Sequence, residues 1–370
     1  MMSLPLTCSI PGTVIQYKIE IHNHILGHLP HFLNPFGYTF AIIADDMTGA
    51  LYGENVKKAL LNQGLEVYLF TFPHGEENKT RVTKEYIENQ LLEKNLGRDT
   101  CILALGGGVV TDLAGYIAAT YCRGVPLVML PTTLLGMVDA SIGGKTGINV
   151  PQGKNLLGCI YQPKLVLMDL STLSTLPSNE IRNGIVEMIK HGAIADASYF
   201  NFLENHSDQI LALEPSLLRK AIYDSCLIKK SIVEQDEKEN GKRHLLNFGH
   251  TIGHALEHLT HYEISHGEAV AIGILVESYL AVLNGYLKQA SFDKIWQILK
   301  QYALPLQLPI PFSAETLYDA MILDKKSLNG KPRFVMLQEI GSPFKEACIS
   351  VEDETLRKAV EWMNHDLCRH

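Results

Sequence analysis

The chain has 370 residues, a formal net charge of −8 at pH 7, 46% hydrophobic residues and 19% charged residues. That length allows two domains, because single cores rarely grow past about 250–300 residues, and the composition is ordinary for a globular protein. The acidic balance excludes a general nucleic-acid footprint, which needs a basic excess to neutralise phosphates, so the basic residues have to be read locally.

In chain order, residues 40–44 read as a strand, 53–62 as a helix, 65–70 as a strand, 79–93 as a helix and 101–105 as a third strand. The third strand runs into Gly106-Gly107-Gly108 and a small-residue segment, 112–120. Residues 126–130 form a strand ending at Pro131-Thr132-Thr133, and 165–169 form the last strand. Strands alternating with helices imply a parallel sheet covered on both faces. After Leu176-Pro177 the period changes to helical at 178–204, 215–239, 249–260, 266–286 and 292–303, and Ser178-Asn179-Glu180 suits a helix N-terminus. The expected organisation is an α/β domain over 1–176 and an all-α domain over 177–370, with a short strand at 334–337.

The seven cysteines show no CxxC spacing, which favours reduced thiols and a cytoplasmic location. No apolar run is expected to reach the roughly 18 residues of a membrane span, and the first residues lack the basic n-region of a signal peptide. Neither a membrane nor a nucleic acid is expected as a partner.

Three stretches carry chemistry. The glycine turn at 106–108 lets backbone approach an anion, and the following helix offers unpaired N–H groups to a pyrophosphate. It is not GxGxxG, and by itself it does not separate a ligand loop from a tight strand-to-helix turn. Asp45 ends one strand, where carboxylates often bind a ribose, and His74-Gly75-Glu76-Glu77-Asn78-Lys79 ends another. In the second stretch, 131–158, Gly143-Gly144-Lys145-Thr146 resembles a P-loop tail but lacks its GxxxxGK frame, so a Walker A reading is rejected. Lys145 and Lys154 remain as phosphate binders in glycine-rich loops beside Asp139 and Asn155. The third stretch, 243–268, concentrates His244, His250, His254, His258, His261 and His266 with Glu257 and Glu268, the ligand types of a catalytic divalent metal. His250 and His254 share a helix face, as do His254 and His258, and as do Glu187 and Lys190 upstream. Spacing leaves open which of them bind a metal.

Seven motifs together resemble 3-dehydroquinate synthases: GGGVVTDLAGYIAATYCRG at 106–124, PTTLLGMVDASIGGKTGIN at 131–149, GKNLLG at 153–158, EMIKHG at 187–192, LLNFGHTIGHALE at 245–257, HGEAVAIG at 266–273 and DKK at 324–326. Their order and spacing are more specific than any one of them, and the resemblance runs from about residue 45 to about 337. It implies a Rossmann-like NAD-binding domain followed by an all-α metal- and substrate-binding domain, with the active site between them. It implies Glu187, His250 and His266 as ligands of Zn2+ or Co2+, with His254 left for substrate or proton transfer and His258 and His261 for solvent. Matching NAD positions are Asp45, His74, Gly75, Glu76, Lys79, Gly107, Gly108, Val109, Asp112, Thr132, Thr133, Lys145, Lys154, Thr172, Leu173 and Thr175. Matching substrate positions are Asp139, Lys145, Lys154, Asn155, Lys190, Arg243, Asn247, His254 and Lys325, the last chosen over Lys326. Arg123 is implied as a phosphate contact given to a neighbouring subunit of a homodimer. Thr111 departs from the family's usual glycine and is expected to shift the pyrophosphate loop slightly. Met137 and Ala140 also differ from the family's usual choices, but no expected catalytic side chain is lost.

The implied reaction turns 3-deoxy-D-arabino-heptulosonate 7-phosphate into 3-dehydroquinate and phosphate, a step of the shikimate pathway of aromatic amino acid biosynthesis. Transient oxidation by NAD at C5 acidifies C6, phosphate is eliminated, the hydride returns, and an aldol step closes the ring. A cationic cluster in an acidic chain would focus such a substrate. Three rival readings are weighed. Another sugar-phosphate cyclase would have no substrate carboxylate for Arg243 and Asn247 to meet. A metal-dependent polyol dehydrogenase would not need Lys145 with Lys154. An inert NAD-binding scaffold would not need Glu187, His250 and His266.

Overall fold

The computed structural model describes residues 6–10, 15–261, 263–322, 331–346 and 348–368. These fall into two compact units, Met1–Pro177 and Ser178–His370.

The first unit is built on the strands β1 (Leu6–Ile10), β2 (Ile15–His22), β3 (Thr39–Asp45), β4 (Glu66–Phe72), β5 (Thr100–Gly106), β6 (Leu127–Pro131), β7 (Lys145–Val150), β8 (Gly153–Ile160) and β9 (Leu165–Asp169). Seven of them form one sheet in the order β1-β2-β9-β6-β5-β3-β4, parallel except for the β1–β2 pair. Strands β5, β6 and β9 are buried along their whole length, as the middle strands of a sheet covered on both faces must be. Phe40, Ile42, Leu103, Leu105, Val128 and Leu130 pack with Leu29, Leu33, Val56 and Leu60 to make the core. From β3 the chain steps outward to β4, then returns to the other side of β3 through β5, β6 and β9. The winding therefore reverses between β3 and β5, and the carboxyl ends of these strands flank the crevice where open α/β sheets bind ligands.

Two parts of this unit depart from the sequence reading. Strand β2 was not foreseen, although its alternating burial is the period-2 signal of a half-buried strand. Asp169, buried at the end of β9, fixes the chain beyond β2 by accepting the backbone N–H groups of His24, Ile25 and Leu26 at 2.7, 2.7 and 3.1 Å. The segment read as glycine-rich loops around Lys145 and Lys154 is an antiparallel hairpin, β7–β8. Its glycines serve close strand contact, since a Cβ on Gly158 would lie 2.0 Å from the carbonyl oxygen of Thr146.

The second unit contains the helices Ser178–Ala195, Ala197–Asn205, Pro215–Gln235, His250–Leu259, His266–Leu283, Gln289–Gln301, Ala314–Ile322 and Asp353–Leu367. The expected helix 178–204 is broken because Asp196 leaves helical geometry (φ −153°, ψ 102°) and caps the next helix through Ser198 and Tyr199 N–H. The unit is not purely helical: β10 (Leu337–Glu339) pairs with β11 (Ser342–Pro343), and the strand expected at 334–337 lies at that hairpin, with Phe334 bridging to Ile349. The expectation about apolar runs also needs correction. Helix His266–Leu283 has 18 residues and a mean hydropathy of 1.4, enough by length and composition to cross a membrane, yet 72% of it is buried inside this unit. It is the central core helix, apolar on all sides because helices surround it.

That helix crosses His250–Leu259 at backbone contact. A Cβ on Gly273 would fall 1.9 Å from the carbonyl oxygen of Gly249, and one on Gly253 would fall 3.1 Å from that of Ala269. Gly273→Ala has no flexible neighbour to displace, so an overpacking cost of about 2 kcal/mol or more is expected. The thermal midpoint of the variant should fall by about 4–8 °C, and a midpoint within a degree of the parent would show that the crossing yields freely.

Candidate active site

At the carboxyl end of the first unit's sheet the strands end in polar turns. Asp45, the last residue of β3, accepts from Thr48 N–H at 2.7 Å and Thr48 Oγ1 at 2.9 Å, and Thr48 Oγ1 also donates to the Leu105 carbonyl of β5 at 3.2 Å, across the switch point. Gly107 is the N-cap of helix Gly108–Thr120, with no side chain to occupy the free N–H groups of the first turn. A Cβ on Gly107 would meet Thr133 at 2.9 Å, whereas one on Gly108 would meet only Ala140, at an ordinary 3.6 Å. Packing therefore explains glycine at 107 but does not require it at 108, where Val109 is half-buried beside it. Thr111 lies inside this helix, Oγ1 donating to Gly108 O at 3.0 Å. Its backbone is helical, so the position needs no glycine-like conformation. Thr132 N–H donates to Gly106 O at 3.0 Å, Thr133 Oγ1 accepts from Gly136 N–H at 3.0 Å, and Thr172 Oγ1 donates to Thr132 O at 3.2 Å. Thr175 is exposed, but the Leu173 side chain is fully buried, leaving only its backbone for a ligand.

A polar network joins β4, the glycine-turn helix and the hairpin. Lys79 Nζ meets Asp112 Oδ2 at 2.5 Å and Asn155 Oδ1 at 2.7 Å, with Glu76 Oε1 at 3.9 Å. Burial works against the Lys79 charge, but Asp112 and Glu76 outweigh it and hold its pKa above the ordinary lysine value. Burial pushes the Asp112 carboxyl up, with Lys79 opposing it and Asp139 adding to it. Asn149 was missed by sequence reasoning. It bonds Glu76 Oε1 at 2.8 Å and accepts Asn155 N–H at 2.9 Å, holding Asn155 at φ +53°; a polar residue next to the Pro151-Gln152-Gly153 turn was its only signal. His74 is exposed and paired with Asp46 at 2.9 Å, which raises its pKa, and Gly75 takes φ +106°. Asp139 lies on a π-helical turn, Gly136–Ala140, a form frequent at functional sites. Lys145 and Lys154 stand at opposite ends of the hairpin, the first opposite Ile160 and the second beside the Val150–Gly153 pair. At about 3.3 Å per step their backbones are about 15 Å apart.

In the second unit, Glu187, His250 and His266 bring one ligand atom each within 4.8 Å of one another. The Nε2 atoms of His250 and His266 lie 3.5 and 3.6 Å from Glu187 Oε1. Ligands of a tetrahedral zinc, about 2.0–2.1 Å from the ion, are about 3.3–3.4 Å apart, so the residues fit a metal with little movement. Their outer partners also suit one: His250 Nδ1 faces the Phe248 carbonyl at 3.1 Å and His266 Nδ1 faces Glu257 Oε2 at 3.3 Å. An Nδ1–H donated to these oxygens leaves both Nε2 lone pairs directed inward. Desolvation works against charge on His266, but Glu257 and Glu187 outweigh it and raise its pKa to about 10, so a metal entering at neutral pH displaces a proton. Lys190 contacts Glu187 Oε2 from one turn away and is 1% exposed. His254 packs edge-on to His250, ring centroids 5.3 Å apart. With Glu257 and His266 it forms a second triad of ligand type, but there Glu257 already serves as the outer partner of His266.

Other candidates fall away or move outward. His258 and His261 are exposed, as expected. Glu268 closes a capping box with Ser265 instead of binding a metal. Asn183, one turn before Glu187, was missed; its Oδ1 takes Ser265 Oγ at 3.0 Å and Gly267 N–H at 3.1 Å, fixing the start of the His266 helix. Asp236 was missed too. It accepts the N–H groups of Asn240, Gly241 and Arg243 and shapes the turn that buries Arg243; Arg243 Nη1 donates to Glu237 O at 2.5 Å, and Asn247 to Glu239 Oε1 at 2.6 Å. Lys229 is a further buried cation, on the helix that packs against both Ser178–Ala195 and the Arg243 turn. Lys325 and Lys326 lie outside the described residues.

Two family models cover this chain, 3-dehydroquinate synthase N-terminal over residues 69–183 and 3-dehydroquinate synthase C-terminal over residues 184–327. The 3-dehydroquinate synthase of Desulforamulus reducens is 41% identical over 88% of this chain and 92% of its own length. That of Nitrosomonas europaea is 45% identical over 88% of this chain and 89% of its own length. The chain belongs to the 3-dehydroquinate synthase family. The fold agrees. A 2-epi-5-epi-valiolone synthase from Streptomyces hygroscopicus, solved with NAD+ and Zn2+ bound, superposes with a TM-score of 0.87 at 27% identity, covering 95% of this chain and 97% of that one. A 2-deoxy-scyllo-inosose synthase shares the fold at 23% identity, with a TM-score of 0.88 and coverage of 96% and 99%.

Because Glu257 orients His266, Glu257→Gln should weaken zinc binding about ten-fold or more, read by competition with a chelating dye. Unchanged affinity would show that the carboxylate does not support the ligand.

Proposed function

We propose that this chain is a carbon–oxygen lyase that converts 3-deoxy-D-arabino-heptulosonate 7-phosphate to 3-dehydroquinate and phosphate, with NAD on the first unit and Zn2+ or Co2+ on Glu187, His250 and His266. The observation that carries the reading is that cluster: two imidazoles with Nδ1 committed outward and Nε2 directed at one carboxylate, in a chain of this family. The 27%-identical valiolone synthase with NAD+ and Zn2+ bound supports the same pair of cofactors. We further propose a cytoplasmic homodimer with Arg123 serving a neighbouring subunit; Cys101, Cys122, Cys159, Cys226, Cys348 and Cys368 are free thiols, which suits a reducing compartment.

When bound, NAD removes and returns a hydride, and the metal lowers the pKa of the substrate hydroxyl. The residues account for the rest. The free N–H groups at Gly107–Val109 receive the pyrophosphate, and Asp45, held by Thr48, faces the ribose. Lys79, anchored by Asp112, keeps Asn155 in place. The ketone formed at C5 acidifies the neighbouring C–H, and loss of that proton expels phosphate with the C–O electron pair. The phosphate can itself accept the proton. Lys145, Lys154, Asn155 and Lys325 offset the charge on the phosphate, and Arg243 with Asn247 receives the substrate carboxylate. Asp139, Lys190 and His254 move protons in the later steps. Lys190, buried against Glu187, also limits the negative charge that a metal must neutralise there.

Purified protein given the heptulosonate phosphate, catalytic NAD and zinc should release phosphate without net NADH, and a chelator should stop it. Net NADH from a polyol without phosphate release would overturn the synthase reading in favour of a dehydrogenase. Lys145 is exposed on β7, so Lys145→Glu should leave the melting temperature unchanged while abolishing turnover; retained turnover would remove Lys145 from the site.

A further inference from the structure

Tyr52 lies on a π-helical turn, Gly49–Gly53, just beyond β3, a place to which neither the motifs nor the cofactor positions above assign a role. Its ring packs against the core of the first unit, and its hydroxyl crosses to the turn after β9. There it meets Thr175 Oγ1, and both oxygens lie near Thr172 O, at 3.2 and 3.0 Å, so that one hydroxyl donates to the other and the second donates to the carbonyl. In the sheet, β5 and β6 lie between β3 and β9, so the two segments start about 14 Å apart. The bridge is the last link of a hydrogen-bonded circuit around the strand ends: Thr172 to Thr132 O, Thr132 to Gly106 O, Leu105 O to Thr48, and Thr48 to Asp45. Thr48 and Tyr52 are one turn apart on the same segment. The circuit joins Asp45, Gly106, Thr132, Thr172 and Thr175, the groups flanking the switch-point crevice.

We infer that Tyr52 is a cofactor-positioning residue, whose phenol ties the Thr172–Thr175 turn across the carboxyl ends of β5 and β6 and holds it against a bound dinucleotide. This rests on the NAD reading above. Phenylalanine keeps the ring packing and removes only the tie. Loss of one net hydrogen bond corresponds to about five-fold in a rate or equilibrium.

The test is stopped-flow displacement of NADH from the zinc-loaded full chain by excess NAD, on the parent, Tyr52→Phe, Thr175→Val and the double variant. Dissociation from Tyr52→Phe should be about five-fold faster, with kcat at saturating NAD retained and the NAD-induced rise in melting temperature reduced. Thr175→Val should add little on top of Tyr52→Phe, because the two groups share one bond. NADH binding with unchanged dissociation from Tyr52→Phe, or full additivity of the two substitutions, would overturn the assignment and leave the NAD reading intact. Failure of the parent to bind NADH would overturn both.

Discussion

The buried carboxylate of Glu187 is the constraint around which the second unit is arranged. An isolated carboxylate at full burial is too costly to keep ionised, so the fold must bring cations or a metal to it. Lys190 does so from the same helix, and two other helices deliver His250 and His266. For those helices to present both imidazoles to one oxygen they must cross closely, which is why Gly249 and Gly273 meet backbone to backbone. Asn183 then fixes where the His266 helix begins. The apolar girth of helix His266–Leu283 belongs to the same arrangement: the helices Ser178–Ala195, His250–Leu259, Gln289–Gln301 and Asp353–Leu367 all pack on it.

The first unit solves a different problem, holding polar groups at the edge of an apolar sheet without burying them unpaired. Each strand end passes its hydrogen bonds to the next, from Thr48 to Leu105 O, from Thr132 to Gly106 O and from Thr172 to Thr132 O. Lys79 organises the far side, gathering Asp112, Glu76 and Asn155. Such satisfied networks fix side-chain positions more tightly than apolar packing can, and they leave the N–H groups of the Gly107–Val109 turn as uncommitted donors facing the strand ends.

Much of the architecture was legible because local pattern and tertiary role agree. Strand 165–169 announces itself as a short apolar run, and the helices carrying Glu187 and His250 by their period. The hairpin around Lys145 and Lys154 did not, because its glycines carry no side chain to mark an alternating face, and its strands are defined by pairing with each other. Asn183, Asn149 and Asp236 were invisible for a related reason: each acts by a hydrogen bond to a backbone group that only the fold brings near.

By itself the sequence determined the alternation of the central strands with helices, the change of class near Pro177, and the family to which the motifs belong, because these depend on residue types at short, fixed separations. Tertiary structure alone decided which nitrogen of each histidine turns inward, that Glu257 supports His266 while Glu268 only caps a helix, and that Lys145 and Lys154 stand about 15 Å apart. It also decided that Tyr52 reaches Thr175. Those outcomes depend on distances between residues far apart in the chain, set by helix crossings and strand order, and no local spacing encodes them.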